Sequence, residues 1–300
     1  MPAVPPAGHV RVKMLAAAIH PSDFGMIAGT YGKAKTFPCV MGREGVGEVV
    51  ALAGDVKNVT LGDWVRIPEA LGAWTEALDC PAKGLVLLPK DLKPDQLSLS
   101  FVNPPAALRV LEDYATLNPG DVVVTNAGKS AVSQAFYQLA REMGLKPHGV
   151  VRNKTAEDEV WLKSLGAEAV WDETEEYFKQ IKPKLALNQV GGESVLRLIK
   201  SLADHGVCVT IGGAAKEPVR YPTRELIFKD IQLRGFWADR FFREHTPVEI
   251  DTMLHKLWAL MRAGRLTQEV SGRYALAEFS QALAEAAGAN RRGKVMFVGA

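Results

Sequence analysis

Residues 118–154, NPGDVVVTNAGKSAVSQAFYQLAREMGLKPHGVVRNK, constrain the fold most, because they read as strand, turn, helix and strand in one unit. Asn118-Pro119-Gly120-Asp121 is turn chemistry, with proline fixing φ and glycine free to take positive φ. Val122 to Val124 is a short β-branched run of buried-strand type. The period then changes: Ala135, Phe136, Leu139, Ala140 and Met143 recur at helical spacing, and Gly144 ends the segment as a C-terminal capping glycine does. A second strand, Gly149 to Val151, stops at Arg152. Such a unit is half of a doubly wound nucleotide-binding sheet, in which phosphates sit at the N-terminus of the first helix, where unpaired N–H groups and the helix dipole favour anions.

The glycine fingerprint is depleted. G-x-G-x-x-G asks for three glycines, and the turn Gly128-Lys129-Ser130-Ala131-Val132-Ser133 keeps one, with the small residues Ala131 and Ser133 further along it, so close backbone approach is reduced rather than forbidden. Gly-Lys-Ser does not make a P-loop, since G-x-x-x-x-G-K-[ST] needs glycine where Val123 stands. Arg152-Asn153-Lys154 follows the second strand, where an acidic residue would accept from the ribose 2′-OH of NAD. Two cations and an amide suit a 2′-phosphate instead, so the expected cofactor is NADPH; the alternative is a solvated basic turn.

Three hundred residues suit two domains, and 47% apolar with 23% charged residues and a net charge of +2 describe a globular chain. No dense basic stripe suggests nucleic acid, and no apolar run is long enough for a membrane span. Cys39, Cys80 and Cys208 are scattered and odd in number, which argues against a disulfide framework or a four-cysteine zinc site. With no signal segment opening the chain, a cytoplasmic location is expected.

Along the chain, His9 to Ala16 alternates like a strand with Val10, Val12 and Met14 on one face. Ser22 or Asp23 is positioned to cap a short helix carrying Phe24, Met26 and Ile27, which ends at Gly29-Thr30-Tyr31-Gly32. Glycine-punctuated β segments from Met41 to Ile67 suggest a small antiparallel barrel. Further strands are expected at Leu185 to Asn188, Val207 to Ile211 and Lys294 to Val298. Helices are expected at Glu193 to Leu202, near Pro247 to Arg262 and near Ala277 to Ala287.

The blocks AAAIHPSDFGMIAGTYG, GREGVGEVVALAGDVKNVTLGDWV, FVNPPAALRVLEDYATLNPGDVVV, LALNQVGGES and LIFKDIQLRGFW, in that order, resemble the medium-chain dehydrogenase/reductase superfamily. Within it they are most similar to 2-enoyl thioester reductases of the mitochondrial enoyl-CoA/acyl-carrier-protein type. The resemblance implies an α/β fold of two domains. A GroES-like β-barrel catalytic domain would comprise 1–104 and 238–300, and a Rossmann cofactor domain with a doubly wound parallel sheet would comprise 105–237. Relatives carry a pair of strands before the one that begins here at His9, so a chain starting at Met1 would lack a barrel edge.

Many relatives are zinc alcohol dehydrogenases, but where the resemblance would place the histidine of Gly-His-Glu this chain has Gly42-Arg43-Glu44. A zinc-free reductase, with no metal ligands, is therefore expected. Its substrate must already be polarised, as an α,β-unsaturated thioester is: NADPH gives hydride to the β carbon and an acid protonates the α carbon. The family's G-x-Y-G tyrosine matches Tyr31, a phenol protonated at neutral pH.

By the same similarity, Asn103 would lie beside the nicotinamide, and Gly128, Lys129, Ser130, Ala131 and Val132 would hold the pyrophosphate. Arg152, Asn153 and Lys154 would hold the 2′-phosphate. Ile211, Gly212, Gly213 and Ala214, with Phe236, Trp237, Ala238 and Asp239, would line the nicotinamide side, and Lys294 would return to it. His20 replaces the Asn usual in N-P-S-D and reads as a packed histidine, with a proton relay left open. Arg291 and Arg292, with Lys294, are a solvated charge run or a greeting for coenzyme A phosphates. The resemblance implies a homodimer through 231–237, with an enoyl-CoA or enoyl-acyl-carrier-protein substrate. Competing readings are a zinc-free NADPH quinone or enone reductase and a non-catalytic NADPH-binding relative.

Overall fold

A computed structural model describes residues 4–32, 35–288 and 291–299. The chain forms two compact units, Met1–Phe101 with Gln268–Ala300, and Val102–Thr267. In chain order the first unit begins with β1 (His9–Ala18), α1 (Pro21–Ile27), β2 (Glu44–Leu52), β3 (Trp64–Arg66), β4 (Ala77–Pro81) and α2 (Pro94–Ser98). The second unit runs α3 (Asn103–Asp113), β5 (Val122–Thr125), α4 (Ala131–Glu142), β6 (Lys146–Val151), α5 (Ala156–Ser164), β7 (Ala169–Asp172), α6 (Tyr177–Gln180), β8 (Leu185–Asn188) and α7 (Gly192–Ser201). It continues through β9 (Val207–Thr210), α8 (Thr223–Phe228), β10 (Gln232–Gly235), α9 (Ala238–Glu244) and α10 (Pro247–Arg262). The chain then returns to the first unit as β11 (Val270–Tyr274), α11 (Phe279–Ala287) and β12 (Lys294–Val298).

In the first unit the sheet order is β11-β12-β1-β2-β3, with β4 also paired to β1. The alternation expected for β1 is realised: Val10, Val12 and Met14 are buried and meet Val49, Val65, Ile67, Val295 and Phe297. Each such side chain contributes about 1.5–3 kcal/mol on burial. Trp74 closes this core edge-on against Phe297, with ring centroids 5.4 Å apart. The sheet is not wholly antiparallel, because β11 runs parallel to β12.

The cap of α1 differs from expectation. His20 is the N-cap residue and Pro21 the first helical residue, where a missing N–H costs nothing. Asp23, three residues into the helix, reaches back to accept from His20 N–H at 2.8 Å.

The second unit holds a parallel sheet in the order β10-β9-β8-β5-β6-β7. Its order reverses between β5 and β8, the doubly wound arrangement that opens a binding crevice at the strands' carboxyl ends. Val124, Val150, Ala186 and Cys208 from four neighbouring strands pack on Val195, Leu198 and Ile199 of α7. Residues 238–267, expected with the catalytic domain, fall by their contacts in this unit. Buried Leu254, Leu257 and Trp258 give α10 an apolar stripe, and Lys256 pairs with Glu112 of α3 at 2.5 Å. Gln138 of α4 then clasps Thr267, accepting from its N–H and donating to its carbonyl, both at 2.8 Å.

Candidate active site and cofactor site

In the second unit, four loops that the sequence points to leave the carboxyl ends of parallel strands: 126–130 after β5, 152–154 after β6, 211–214 after β9 and 236–239 after β10. The first is shaped by close packing. A Cβ at Gly128 would lie 2.7 Å from Val151 Cγ1 and 2.9 Å from Tyr137 Oη, so glycine is required there. Buried Tyr137 donates to the Gly128 carbonyl at 2.9 Å and fixes the turn.

Ser130 caps α4 and accepts from Ser133 N–H at 3.0 Å, which leaves Ala131 and Val132 as the first helical residues. Ser133 fills the third fingerprint position with its hydroxyl rather than leaving a gap. Gln189 donates to that hydroxyl at 2.7 Å and accepts from Ser130 at 2.8 Å. Gln189 N–H in turn reaches Asn126 Oδ1 at 2.7 Å, and Asn126 donates to Asn188 at 2.8 Å. These buried and half-buried amides and hydroxyls lock the ends of β5 and β8 together, a network invisible in the sequence because its two halves lie more than fifty residues apart.

The expected phosphate ligands separate into two kinds. Arg152 and Asn153 are exposed, and Asn153 takes φ +53°, a conformation asparagine tolerates. Lys154 is instead anchored: its ammonium bonds Glu175 at 2.8 Å and its N–H bonds Asp172 at 2.7 Å. That N–H, with the Thr174 hydroxyl and N–H, holds the Asp172 carboxyl down at about 2. Lys129 is likewise turned to Asp158 at 2.6 Å. Burial resists ionisation of Asp158, but the Lys129 and Thr155 hydrogen bonds outweigh it and lower its pKa.

In the loop expected on the nicotinamide side, Ile211 N–H bonds the Asn188 carbonyl at 2.9 Å and Ala214 N–H bonds that of Gln189 at 3.2 Å. A Cβ on Gly212 would come within 2.9 Å of the Gln189 carbonyl, whereas Gly213 has open space around it. Phe236 N–H bonds the Thr210 carbonyl at 3.0 Å, Trp237 caps α9, and Ala238 and Asp239 open it. Asn103, at the start of α3, is buried, and its Nδ2 has no hydrogen-bond partner. A buried amide donor without an acceptor costs about 1–3 kcal/mol, so it points to a group that arrives with the ligand. These residues fit NADPH.

Tyr31 and Lys294 belong to the first unit. The Tyr31 loop folds onto α1, with Thr30 and Tyr31 N–H both bonded to the Gly25 carbonyl at 2.8 and 3.1 Å. The phenol is half-buried, and Arg43 Nη1 donates to its oxygen at 2.7 Å. Lys294 of the same unit is buried, with Nζ 3.2 Å from His20 Nδ1. His20 Nε2 meets Glu44 Oε2 at 2.5 Å, and Glu44 Oε1 accepts from Phe101 N–H at 2.7 Å. An ammonium has no lone pair, so Nδ1 accepts, and the ring proton sits on Nε2, donating to Glu44.

Burial pushes Lys294 down to about 8, with Glu44 and Asp23 opposing and Arg291 assisting. Burial likewise raises the Asp23 carboxyl, against His20, Arg43 and Lys294. Sequence reasoning did not assign Arg43 or Glu44 a role; the signal was a charged pair set among glycines at the start of a buried strand.

A doubly wound parallel sheet joined in one chain to this mixed β unit, with a phosphate-type turn on one and an arginine-bonded phenol on the other, defines a two-domain, dinucleotide-dependent reductase. Residues 6–90 match the alcohol dehydrogenase GroES-like domain and 165–296 match the zinc-binding dehydrogenase family. The chain is 41% identical over 285 residues to the mitochondrial enoyl-[acyl-carrier-protein] reductase of Homo sapiens, covering 91% of this chain and 76% of the relative. The structure of the Etr1p/NADP/crotonyl-CoA complex superposes with a TM-score of 0.88 at 27% identity, covering 98% of this chain and 91% of that one. The mitochondrial 2-enoyl thioester reductase Etr1p/Etr2p heterodimer from Candida tropicalis gives 0.87 at 27%, covering 97% and 91%. The chain belongs to the medium-chain dehydrogenase/reductase superfamily and, within it, to the family of the mitochondrial enoyl-[acyl-carrier-protein] reductases.

Two consequences follow. The cytoplasmic expectation is corrected, because these relatives are mitochondrial and point to mitochondria; few cysteines select a reducing compartment without saying which one. The metal implied by the zinc-binding family description does not fit. Among the described residues no group of three or more His, Cys, Asp or Glu side chains is placed to hold an ion, and the Arg43 guanidinium offers no lone pair. Among the described residues, no helix is long and apolar enough to cross a membrane.

Proposed function

We propose that this chain reduces the 2,3 double bond of a trans-2-enoyl thioester, carried by coenzyme A or an acyl carrier protein, with Tyr31 as the proton donor. Bound NADPH supplies the hydride to the β carbon. The thioester carbonyl draws the double-bond electrons into an enolate, and Tyr31 returns a proton to the α carbon. The observation that carries this reading is the half-buried Tyr31 phenol, held by a guanidinium in its Gly-Thr-Tyr-Gly loop. Support for the cofactor comes from the exposed Arg152 and Asn153, suited to a 2′-phosphate, and from the unsatisfied Asn103 amide. Lys129 and Lys154 contribute by fixing the loops rather than by offering free charge.

A homodimer is proposed through β10, an edge strand whose four residues are exposed beside Ile227 and Phe228, which are 64% and 73% accessible. An edge strand of this kind, close in sequence to the exposed Ile227 and Phe228, is suited to a second copy, and the elution volume on size exclusion checks it.

The reading is tested by NADPH oxidation with crotonyl-CoA and a simple quinone side by side, on wild type and Tyr31→Phe. Thioester turnover is expected to fall by about 10²–10⁴-fold in the variant, with NADPH binding retained. Quinone turnover indifferent to the substitution, without thioester turnover, would instead make the chain a quinone reductase.

A further inference from the structure

The loop that carries Arg43 is built to hold a cation still. Gly42 adopts φ +101°, and a Cβ there would lie 2.5 Å from Trp74 Cδ1, so the backbone lies directly against the indole. Trp74 N–H bonds the Met41 carbonyl at 2.8 Å, and Ala73 N–H bonds that of Gly42 at 3.1 Å. From this platform the Arg43 side chain runs inward and is 4% exposed. Its Nε donates to Glu69 at 3.1 Å, and its Nη1 donates to the Tyr31 oxygen at 2.7 Å. The guanidinium carbon also lies 5.1 Å from the Tyr31 ring centroid. One face of the guanidinium is thus fixed by a carboxylate while another nitrogen is aimed at the phenolic oxygen, the geometry of a preorganised charge stabiliser.

We propose that Arg43 is the positioning residue for Tyr31, which fixes the phenol and takes up the negative charge left on it when its proton is given away. This rests on the reading of Tyr31 as the acid. The balance is simple: as hydride reaches the β carbon, the double-bond pair moves into the enolate. The Tyr31 O–H bond then breaks as the new C–H bond forms at the α carbon. The electron pair stays on the phenolic oxygen, against Arg43 Nη1–H, until water returns the proton. The charged groups around Arg43 include Glu69, which bonds it, and Asp23, which it influences together with His20 and Lys294. The Asp23 carboxyl is raised by its burial, which reduces its competition for the guanidinium.

The test uses Arg43→Gln, with Arg43→Met in its place if the Gln chain does not fold, alongside Tyr31→Phe and the double variant. For crotonyl-CoA reduction kcat is expected to fall about tenfold or more without the cation, while the thioester KM and NADPH binding, read by nicotinamide fluorescence, change less than about threefold. The alkaline limb of the kcat profile is expected to move to higher pH, because a phenol without its cation keeps its proton longer. In the Tyr31→Phe background the second substitution is expected to add almost nothing. An unmoved alkaline limb, or losses that multiply in the double variant, would overturn the proposal.

A substrate-free arm separates this from the reductase reading. The ultraviolet tyrosinate absorbance that Tyr31→Phe lacks is expected to emerge at higher pH in Arg43→Gln than in wild type. If thioester turnover is absent altogether, the reductase reading fails, and this titration alone decides Arg43; emergence at the same pH in both chains would overturn it.

Discussion

The two units organise buried polarity in opposite ways. Beside the Lys129–Asp158 pair at the expected pyrophosphate turn of the second unit runs a neutral network: Asn126, Asn188, Gln189, Ser130 and Ser133 satisfy one another and hold the strand ends in register. In the first unit the buried cluster at the start of α1 is ionisable, with His20, Asp23, Glu44 and Lys294 all under a tenth exposed. A neutral network fixes backbone geometry and stays the same at any pH near neutrality. A charged cluster is held together only while its partners balance, and it responds to proton activity. The unit expected to hold the cofactor is therefore built as a rigid cradle, and the unit expected to move a proton is built around groups that can titrate.

Breaking the charged side is expected to give the larger effect. Glu44→Ala removes the acceptor of both His20 Nε2–H and Phe101 N–H and leaves Lys294 without the carboxylate that favours its charged form. A loss of about 3–5 kcal/mol is expected, measured as a lower midpoint in urea unfolding. A loss under about 1 kcal/mol would mean that the cluster is already balanced by Asp23.

On the neutral side, the sharpest perturbation is steric. Gly149→Ala places a Cβ 2.2 Å from the Tyr137 hydroxyl and 3.0 Å from its ring, and Tyr137, fully buried, holds the Gly128 turn. Overpacking of this kind costs about 1–3 kcal/mol, and weaker NADPH binding is expected with it, since the turn is displaced through the hydroxyl. Urea unfolding with and without NADPH separates the two contributions. An unchanged affinity would show that the turn holds its shape without Tyr137.

Most of the second unit was legible in the sequence, because its elements carry local signals. The run Val122–Val124, the helical spacing to Met143 and Gly144 at φ +71° all lie where periodicity put them. Strand β6 starts at Lys146 rather than Gly149, since Lys146-Pro147-His148 lacks an alternating pattern and is recruited by pairing with β5 and β7. The stretch α5–β7 went unassigned for a similar reason, its helix having a charged surface and little apolar periodicity. In the first unit the strand alternation was legible but the site was only half so. Tyr31 is legible through the resemblance of its Gly-Thr-Tyr-Gly loop to the family's, while Arg43 and Glu44 carry no role in the sequence beyond the absence of a zinc-ligand histidine. Burial of a charge is decided by partners distant in sequence, Glu69 for one and His20 for the other, and no local pattern announces it. His20 read as a packed histidine, which it is, but its contact with Lys294 spans 274 positions.

The pH dependence of stability sharpens the comparison through a gradient, whose effect at any one pH near neutrality is the smallest. Folding lowers the Lys294 pKa from its ordinary 10.5 to about 8 through burial. Below about 8 the lysine is protonated in both states, and the folded state bears the full cost of the buried charge. Between about 8 and 10.5 the unfolded chain binds more protons at this site than the folded one, so stability contributed by Lys294 rises with pH, by at most about 1.4 kcal/mol per unit. Lys294→Met abolishes the titration. The stability of wild type relative to Lys294→Met is therefore expected to climb across that window, by calorimetry or urea unfolding, and to stay flat from pH 6 to about 7. The same comparison for Gln189→Met, in the neutral network, is expected to be flat throughout, since no proton is exchanged there on folding. A flat Lys294 difference would mean that Glu44 and Asp23 keep the ammonium charged in the folded state, and the contrast between the two units would then rest on geometry alone.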